Sequence, residues 1–322
     1  MNKEFPVAQL PLVSVIIPTF DRLHYLPYAI ESALAQTYRN IEAIVTDDAG
    51  TVDVQGLIRS YRDPRLHYRR NERNLGQAMN NLIAFKEAKG KYVANLHDDD
   101  MWEPTFLEKL VPVMESDDDV ALAFSDHFVM DSAGKIDELL TQQIEKQYQR
   151  NVLKPGLHKP FCRIGLVDLS IPLAMASVLR KDAIDWSDFP PEINSFYDRW
   201  LIYLACRTGM GAYYYPERLT RYRVHSASAT SGSGIDFPRS GLACHNRFMQ
   251  DERLKSLWPE LQVMRDGSYT KLGICYLEAG NRREAQYNLL QSIKSKPSLR
   301  AIAALGLSVL PASMRRSIHN KQ

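Results

Sequence analysis

Cysteine is scarce in this chain. The four in 322 residues, Cys162, Cys206, Cys244 and Cys275, lie far apart without metal-ligand spacing and read as reduced thiols, the usual state in a cytoplasmic protein. Long apolar runs are missing too: nothing approaches the ~18 uninterrupted residues of a membrane span. The opening stretch, MNKEFPVAQLPLVSVIIPTF, has only a short apolar run broken by prolines, which argues against a secretory signal. Nor does charge of one sign predominate. Lys and Arg total 40 against 38 Asp and Glu, a formal +2, too little for a field that would draw nucleic acid or an acidic surface. The expectation is a soluble, cytoplasmic protein that binds no nucleic acid and can still touch the inner face of the cell membrane.

What is present is enough apolar material for a sizeable core. Hydrophobic residues make up 45% and charged residues 24%, so one large domain with an appendage, or two domains, are expected. The first half alternates β-rich runs with helical patterns. VSVII (13–17) and IEAIVT (41–46) are strands, RLHYRRN is a third and KYVANL a fourth. Between them lie a helix starting near Leu26 with Pro27 in its first turn, a short helix around Val54 to Tyr61, and GQAMNNLIAFKEAKG with Gly90 as its cap. Such alternation implies βαβ crossovers and a mainly parallel sheet flanked by helices. Further on, EPTFLEKLVPVMES reads as a helix, VALAFSD and AMASVLR as strands, and SFYDRWLIYLACRTG as a helix with Phe196, Trp200 and Leu204 on one face. A Ser/Gly segment after LTRYRVH marks the expected boundary between a domain at 1–235 and a helical extension at 236–322. In that extension Leu272, Gly273, Tyr276, Ala285 and Pro297 match a tetratricopeptide-like helix pair, which would offer a seat for a protein partner. The apolar-then-basic tail suits either a membrane surface or packing on its own protein.

Ligands of open α/β sheets bind beyond the carboxyl ends of the strands. Three strand ends carry polar clusters here: PTFDR, DDAG and HDDD. The last is the most demanding, because Asp98, Asp99 and Asp100 follow directly on an apolar run, and adjacent carboxylates repel, more so at low dielectric. Asp also favours helix N-termini and exposed turns, which accounts for such a triplet without any ligand. A divalent cation accounts for it chemically: Mg2+ or Mn2+ takes hard oxygen donors, often one or two carboxylates, and completes its shell with substrate phosphates.

At this point the chain resembles the family 2 glycosyltransferases, whose nucleotide-sugar-binding domain has the GT-A fold. The resemblance runs from about Val13 to about Ser228. It rests on VSVIIPTFDR, IEAIVTDDAG, the Asn-x-Gly helix with HDDDMWEP, FYDRWLIYLA and LTRYRVHSAS in that order. It implies that Pro18, Thr19, Phe20 and Arg22 line the nucleotide, with Asp47 bonding the base, Asp48 beside it and Asp98 near the ribose. It further implies Asp99 as a metal ligand with Asp100 and His225 in support, and Asp198 as the catalytic base. The donor would be a nucleotide-diphospho-sugar, the acceptor a saccharide or a lipid-linked sugar, and the setting cell-surface polysaccharide assembly. His97 stands where many members carry an acid, and Tyr197 where an acid often precedes the base.

The residue types suit that chemistry independently. Glycoside hydrolysis needs two carboxylates because the leaving oxygen must be protonated, whereas a metal-bound diphosphate leaves without an acid, so one base suffices. A single displacement then inverts the anomeric centre. Asp198 at a helix start also has a plain dipole-stabilising explanation. Trp102 and Trp200 are candidates for an acceptor pocket, and Arg221 and Arg223 for a diphosphate clamp. Two other functions compete. A sugar-nucleotide nucleotidyltransferase would carry a Gly-rich basic loop after its first strand, and PTFDRLHYL has no glycine. A non-catalytic adaptor would work through residues 236–322.

Overall fold

The computed structural model describes residues 10–225, 234–295 and 297–309. The chain folds as two compact units, one of Met1–Pro191 with Tyr197–Ser228 and the other of Glu192–Phe196 with Ala229–Gln322.

In the first unit β1 (Val13–Thr19), β2 (Ile41–Asp47), β3 (Leu66–Arg70) and β4 (Tyr92–Asn95) lie parallel in the order β3-β2-β1-β4. Their connections carry α1 (Leu26–Leu34), α2 (Val54–Ser60) and α3 (Gln77–Glu87). Every residue of β1 and β2 is buried, which is why these strands read as mainly apolar runs, the habit of a sheet covered on both faces. Pro27 sits in the first turn of α1, where its missing N–H is not needed.

The sheet continues through β5 (Met101–Trp102), β6 (Val120–Met130), β7 (Gly156–His158), β8 (Ser177–Arg180) and β9 (Gly211–Arg223), with α4 (Phe106–Ser116), α5 (Glu138–Gln147), α6 (Leu173–Ala176) and α7 (Tyr197–Arg207) between them. Nine strands form one sheet, β3-β2-β1-β4-β8-β6-β9-β5, with β7 also on β9. The β8 strand runs antiparallel to both β4 and β6, and β9 runs parallel to β6. So β1 to β4, β6 and β9 all point the same way, and their carboxyl ends share one edge. The expected mainly parallel, mixed α/β sheet is what forms.

Some local expectations change. Gly90 does not cap α3, whose last turn closes at Ala88 in an extended conformation. A Cβ on Gly90 would lie 2.7 Å from the Ser14 nitrogen, so glycine is there to let the chain pass against β1. The stretch 174–180 is strand only from Ser177, because residues 173–176 turn once as α6. Phe196 precedes α7 rather than sharing its face, while Trp200 and Leu204 are buried as expected.

The second unit is helical: α8 (Asp236–Phe248), α9 (Trp258–Glu278), α10 (Arg282–Ser295) and α11 (Leu299–Val309). A tight turn with Gly280 at φ +80° joins α9 to α10. Gly273 lets them approach closely, since a Cβ there would meet Leu289 Cγ at 2.7 Å. Most of the Ser/Gly segment and of the basic tail, residues 226–233 and 310–322, lies outside the described residues.

Candidate active site

The shared strand edge brings the sequence-flagged residues together. Thr19, last in β1, pairs in register with Asp47, last in β2. The Thr19 hydroxyl donates to Asp98 Oδ2 at 2.8 Å, tying the first strand end to the acidic turn after β4. Pro18 and Thr19 are buried, and Phe20 just beyond them is 46% exposed, an aromatic face open at the mouth of the strand. Asp21, which sequence reasoning passed over, adopts φ +55° and accepts from the Val52 N–H at 3.2 Å and from Thr51. It locks the β1 loop to the β2 loop. Gly50 makes room for it, because a Cβ there would come within 2.8 Å of Asp21 Oδ1.

The acidic pair after β2 is engaged by the protein itself. Asp47 is fully buried and accepts from Gly50 N (2.9 Å), Tyr68 Oη (2.8 Å) and Arg70 Nη1 (3.0 Å). A base expected to donate to Asp47 would have to share it with these three donors. Asp48 accepts from Asn71 Nδ2 (2.7 Å), Leu75 N (2.9 Å) and Gly76 N (2.8 Å). Both its oxygens hold the loop into α3, which gives Asp48 a structural role at its expected place beside Asp47.

The triplet after β4 is different. Asp98, Asp99 and Asp100 are all buried, and burial together with mutual repulsion raises two of them. Asp98 is pushed up to about 7 by burial and by Asp99, although Arg22 and Thr19 pull it down. Asp100 is driven well above the carboxylate range by burial, then by Asp99. Arg22 supplies a partial cationic compensation, its Nη1 3.3 Å from Asp98 Oδ1 and 3.0 Å from Asp99 Oδ2, and His225 Nε2 lies 3.0 Å from the same Asp99 oxygen. Arg223 clasps the turn, donating from its backbone N–H to Asp100 Oδ1 (2.9 Å) and from Nε to the Asp99 carbonyl (2.8 Å). With its guanidinium 4.5 Å over the Tyr25 ring, it braces the turn and is no diphosphate clamp. Arg221 pairs with Glu103 at 2.6 Å.

One atom stays unanswered. Asp100 Oδ2 is buried without a hydrogen-bond partner among the described residues. A buried unmet carboxylate oxygen is costly, about 1–3 kcal/mol or more, so it calls for a partner of positive charge. His97, Asp99 and Asp100 each offer one donor atom, all within 4.8 Å of one another. Two carboxylates and an imidazole fit a divalent cation.

Asp198 is half-buried at the start of α7. Its Oδ1 accepts from the Arg199 N–H at 2.8 Å. Burial raises the phenol of the adjacent Tyr197, and the charge of Asp198 adds to that rise; with Asp99, it also opposes the downward push that burial gives His97. Trp102 and Trp200, expected near an acceptor, are instead core residues whose indole N–H groups donate to the Met175 and Asp188 carbonyls.

The family model described as Glycosyl transferase family 2 matches residues 14–165. Those residues form a glycosyl transferase family 2 domain. The model ends before Asp198 and His225, but pairwise similarity continues. An uncharacterized glycosyltransferase of Rickettsia typhi is 29% identical over 222 residues, 69% of this chain and 66% of that protein, just under two thirds of its length. The Escherichia coli protein named UDP-Glc:alpha-D-GlcNAc-diphosphoundecaprenol beta-1,3-glucosyltransferase is 27% identical over 74% of this chain and 91% of its own. Among solved structures, residues 1–349 of Staphylococcus aureus TarS with UDP-GlcNAc superpose at a TM-score of 0.66 and 14% identity, covering 96% of this chain and 92% of that one. A Pyrobaculum calidifontis mannosyltransferase holding GDP-Man and Mn2+ matches at 0.59 and 15%, over 93% and 80%. At such identities these two speak for the fold of the family 2 domain.

Proposed function

We propose that the chain is an inverting glycosyltransferase. It moves one sugar from a nucleotide diphosphate donor to a hydroxyl on a saccharide or lipid-linked acceptor, in assembly of a cell-surface polysaccharide. The observation that carries this is the buried acidic turn with an unmet oxygen at the shared strand edge. Its missing positive charge arrives with a diphosphate. His97, Asp99 and Asp100 would hold the cation, Mn2+ or Mg2+, with His225 against Asp99. That cation supplies charge neutralisation for the departing diphosphate. The names of the relatives, which include a lipid-linked glucosyltransferase and a Mn2+-bound mannosyltransferase, support the reading.

The chain's own residues do the rest. Phe20, exposed beside buried Pro18 and Thr19, would offer a face for the base, and Asp98, held by Thr19, would meet the ribose. Arg22, paired with Asp98 and Asp99, would turn to the phosphate oxygens of the donor. Asp198 removes the acceptor hydroxyl's proton as the new C–O bond forms at the anomeric carbon. The old bond breaks on the opposite face, and its electron pair leaves on the diphosphate. No helix among the described residues is long and apolar enough to cross a membrane. The enzyme would meet a lipid-linked acceptor from the cytoplasmic side as a peripheral protein, and the helices α8 to α11 would offer a seat for a protein partner.

The test is a calorimetric screen of nucleoside diphosphates with and without Mn2+. One of them should bind at least about tenfold tighter with metal; equal affinities throughout would remove the assignment. Asp198→Asn should lower transfer by about a thousandfold or more with donor affinity within twofold. Full activity in that variant would take Asp198 out of the base role.

A further inference from the structure

The hydrogen bonds behind His97 fix which of its nitrogens carries the proton. Asn95 Nδ2 donates to the Ile16 carbonyl at 3.3 Å and to Asn81 Oδ1 at 2.7 Å. A backbone carbonyl can only accept, so this end of the Asn95 amide is the nitrogen and the other is the oxygen. That oxygen receives the Tyr197 hydroxyl proton at 2.7 Å. Having donated its one proton, the Tyr197 oxygen can only accept from His97 Nε2, 2.6 Å away. The neutral imidazole therefore carries its hydrogen on Nε2 and leaves Nδ1 bare. That bare nitrogen lies 3.9 Å from Asp100 Oδ2, the unmet carboxylate oxygen.

We propose that His97 is a nitrogen ligand of the bound cation through Nδ1, held in the ligating tautomer by the Tyr197–Asn95 chain, and that it biases the site toward Mn2+ and similar borderline ions over Mg2+. Metal-bound histidines take their orientation from the partner of the other ring nitrogen, and Tyr197 is that partner here. Imidazole is a softer donor than carboxylate and gains most with ions later in the divalent series. Tyr197, wholly buried, is thus a positioning residue rather than a member of an acidic pair preceding the base. The inference rests on the glycosyltransferase reading for the presence of a cation, and it adds the cation's preference and the role of His97.

Two measurements decide it on the full chain. The first is 15N NMR of the histidine rings without metal. The His97 signal, assigned by its loss in His97→Asp, should show a protonated Nε2 and a bare Nδ1, and this preference should fade in Tyr197→Phe. The reverse tautomer in the unaltered protein overturns the proposal. The second is pulsed EPR with Mn2+ alone and with Mn2+ plus UDP. Nitrogen coupling should be present, persist in His225→Asn and vanish in His97→Asp, which still binds the ion through oxygen. The Mn2+ over Mg2+ preference should fall at least about tenfold in His97→Asp. Mn2+ bound with coupling and preference unchanged in His97→Asp would sink this inference while leaving the transferase reading intact. If no Mn2+ binds under either condition, the metal-dependent reading falls with it.

Discussion

Two acidic clusters close neighbouring parts of the same sheet edge, and they are built to opposite rules. Asp47 and Asp48 after β2 are buried, and each accepts three hydrogen bonds from the protein. Asp98 to Asp100 after β4 are equally buried but keep one oxygen unmet and two raised carboxyls. By density of acids the clusters look alike. What separates them is how complete the supply of donors is: loop N–H groups, Tyr68, Arg70 and Asn71 meet both carboxylates of the first pair, whereas Thr19, Arg22, His225 and Arg223 reach the triplet and still leave Asp100 Oδ2 unmet. Buried acids with their donors in place are structure, and a buried acid left short of one is where the proposed cation would sit.

The comparison breaks most cleanly at Asp100. Asp100→Asn keeps the oxygen that Arg223 holds and replaces the unmet one. Metal-dependent affinity for a nucleoside diphosphate should drop by about two orders of magnitude, with the unfolding midpoint level or higher, checked by calorimetry and thermal denaturation. Asp48→Ala should do the reverse. It strands the donors of Asn71, Leu75 and Gly76, so stability should fall by about 2–4 kcal/mol while cation affinity stays within twofold. If both variants lose metal and both lose stability, the distinction between the clusters is wrong.

A pH series gives the smallest expected effect. Asp98 rises from 3.8 to about 7 on folding. A raised carboxyl binds its proton more tightly in the folded state, so its contribution is whole below pH 3.8 and is lost as pH climbs through about 7. Without metal the protein should therefore lose stability across that window. A cation, which competes with the proton, should raise the melting temperature more at pH 8 than at pH 5. Equal increments at both pH values would show that the triplet's strain is not what the cation relieves.

Much of this was legible in the chain. The β1, β2 and β4 runs are mostly apolar because both faces of a parallel sheet are covered, and that pattern needs no partner to be seen. Pro27 announces the first turn of α1 for an equally local reason. The acidic triplet, too, announces itself by position. Less legible was anything set by approach between distant segments. Gly90 resembled a cap until Ser14 was seen against it, and Trp102 and Trp200 resembled a sugar platform until their indoles were found facing carbonyls in the core. Arg223 looked like a phosphate ligand, and instead it bonds a turn 123 residues earlier in the chain.

By itself the sequence determined which residue types cap the strands, that the strands run mainly parallel, and hence that the acids gather at one edge. These follow from hydrophobic period and crossover length, which are local properties. Only the tertiary structure decided which acids stay available and which nitrogen of His97 is bare. Both depend on donors contributed across the fold, Arg70 and Asn71 for one cluster, Tyr197, 102 residues from Asn95, for the other. A hydrogen bond is a property of a pair, and the pairs form only when the chain closes.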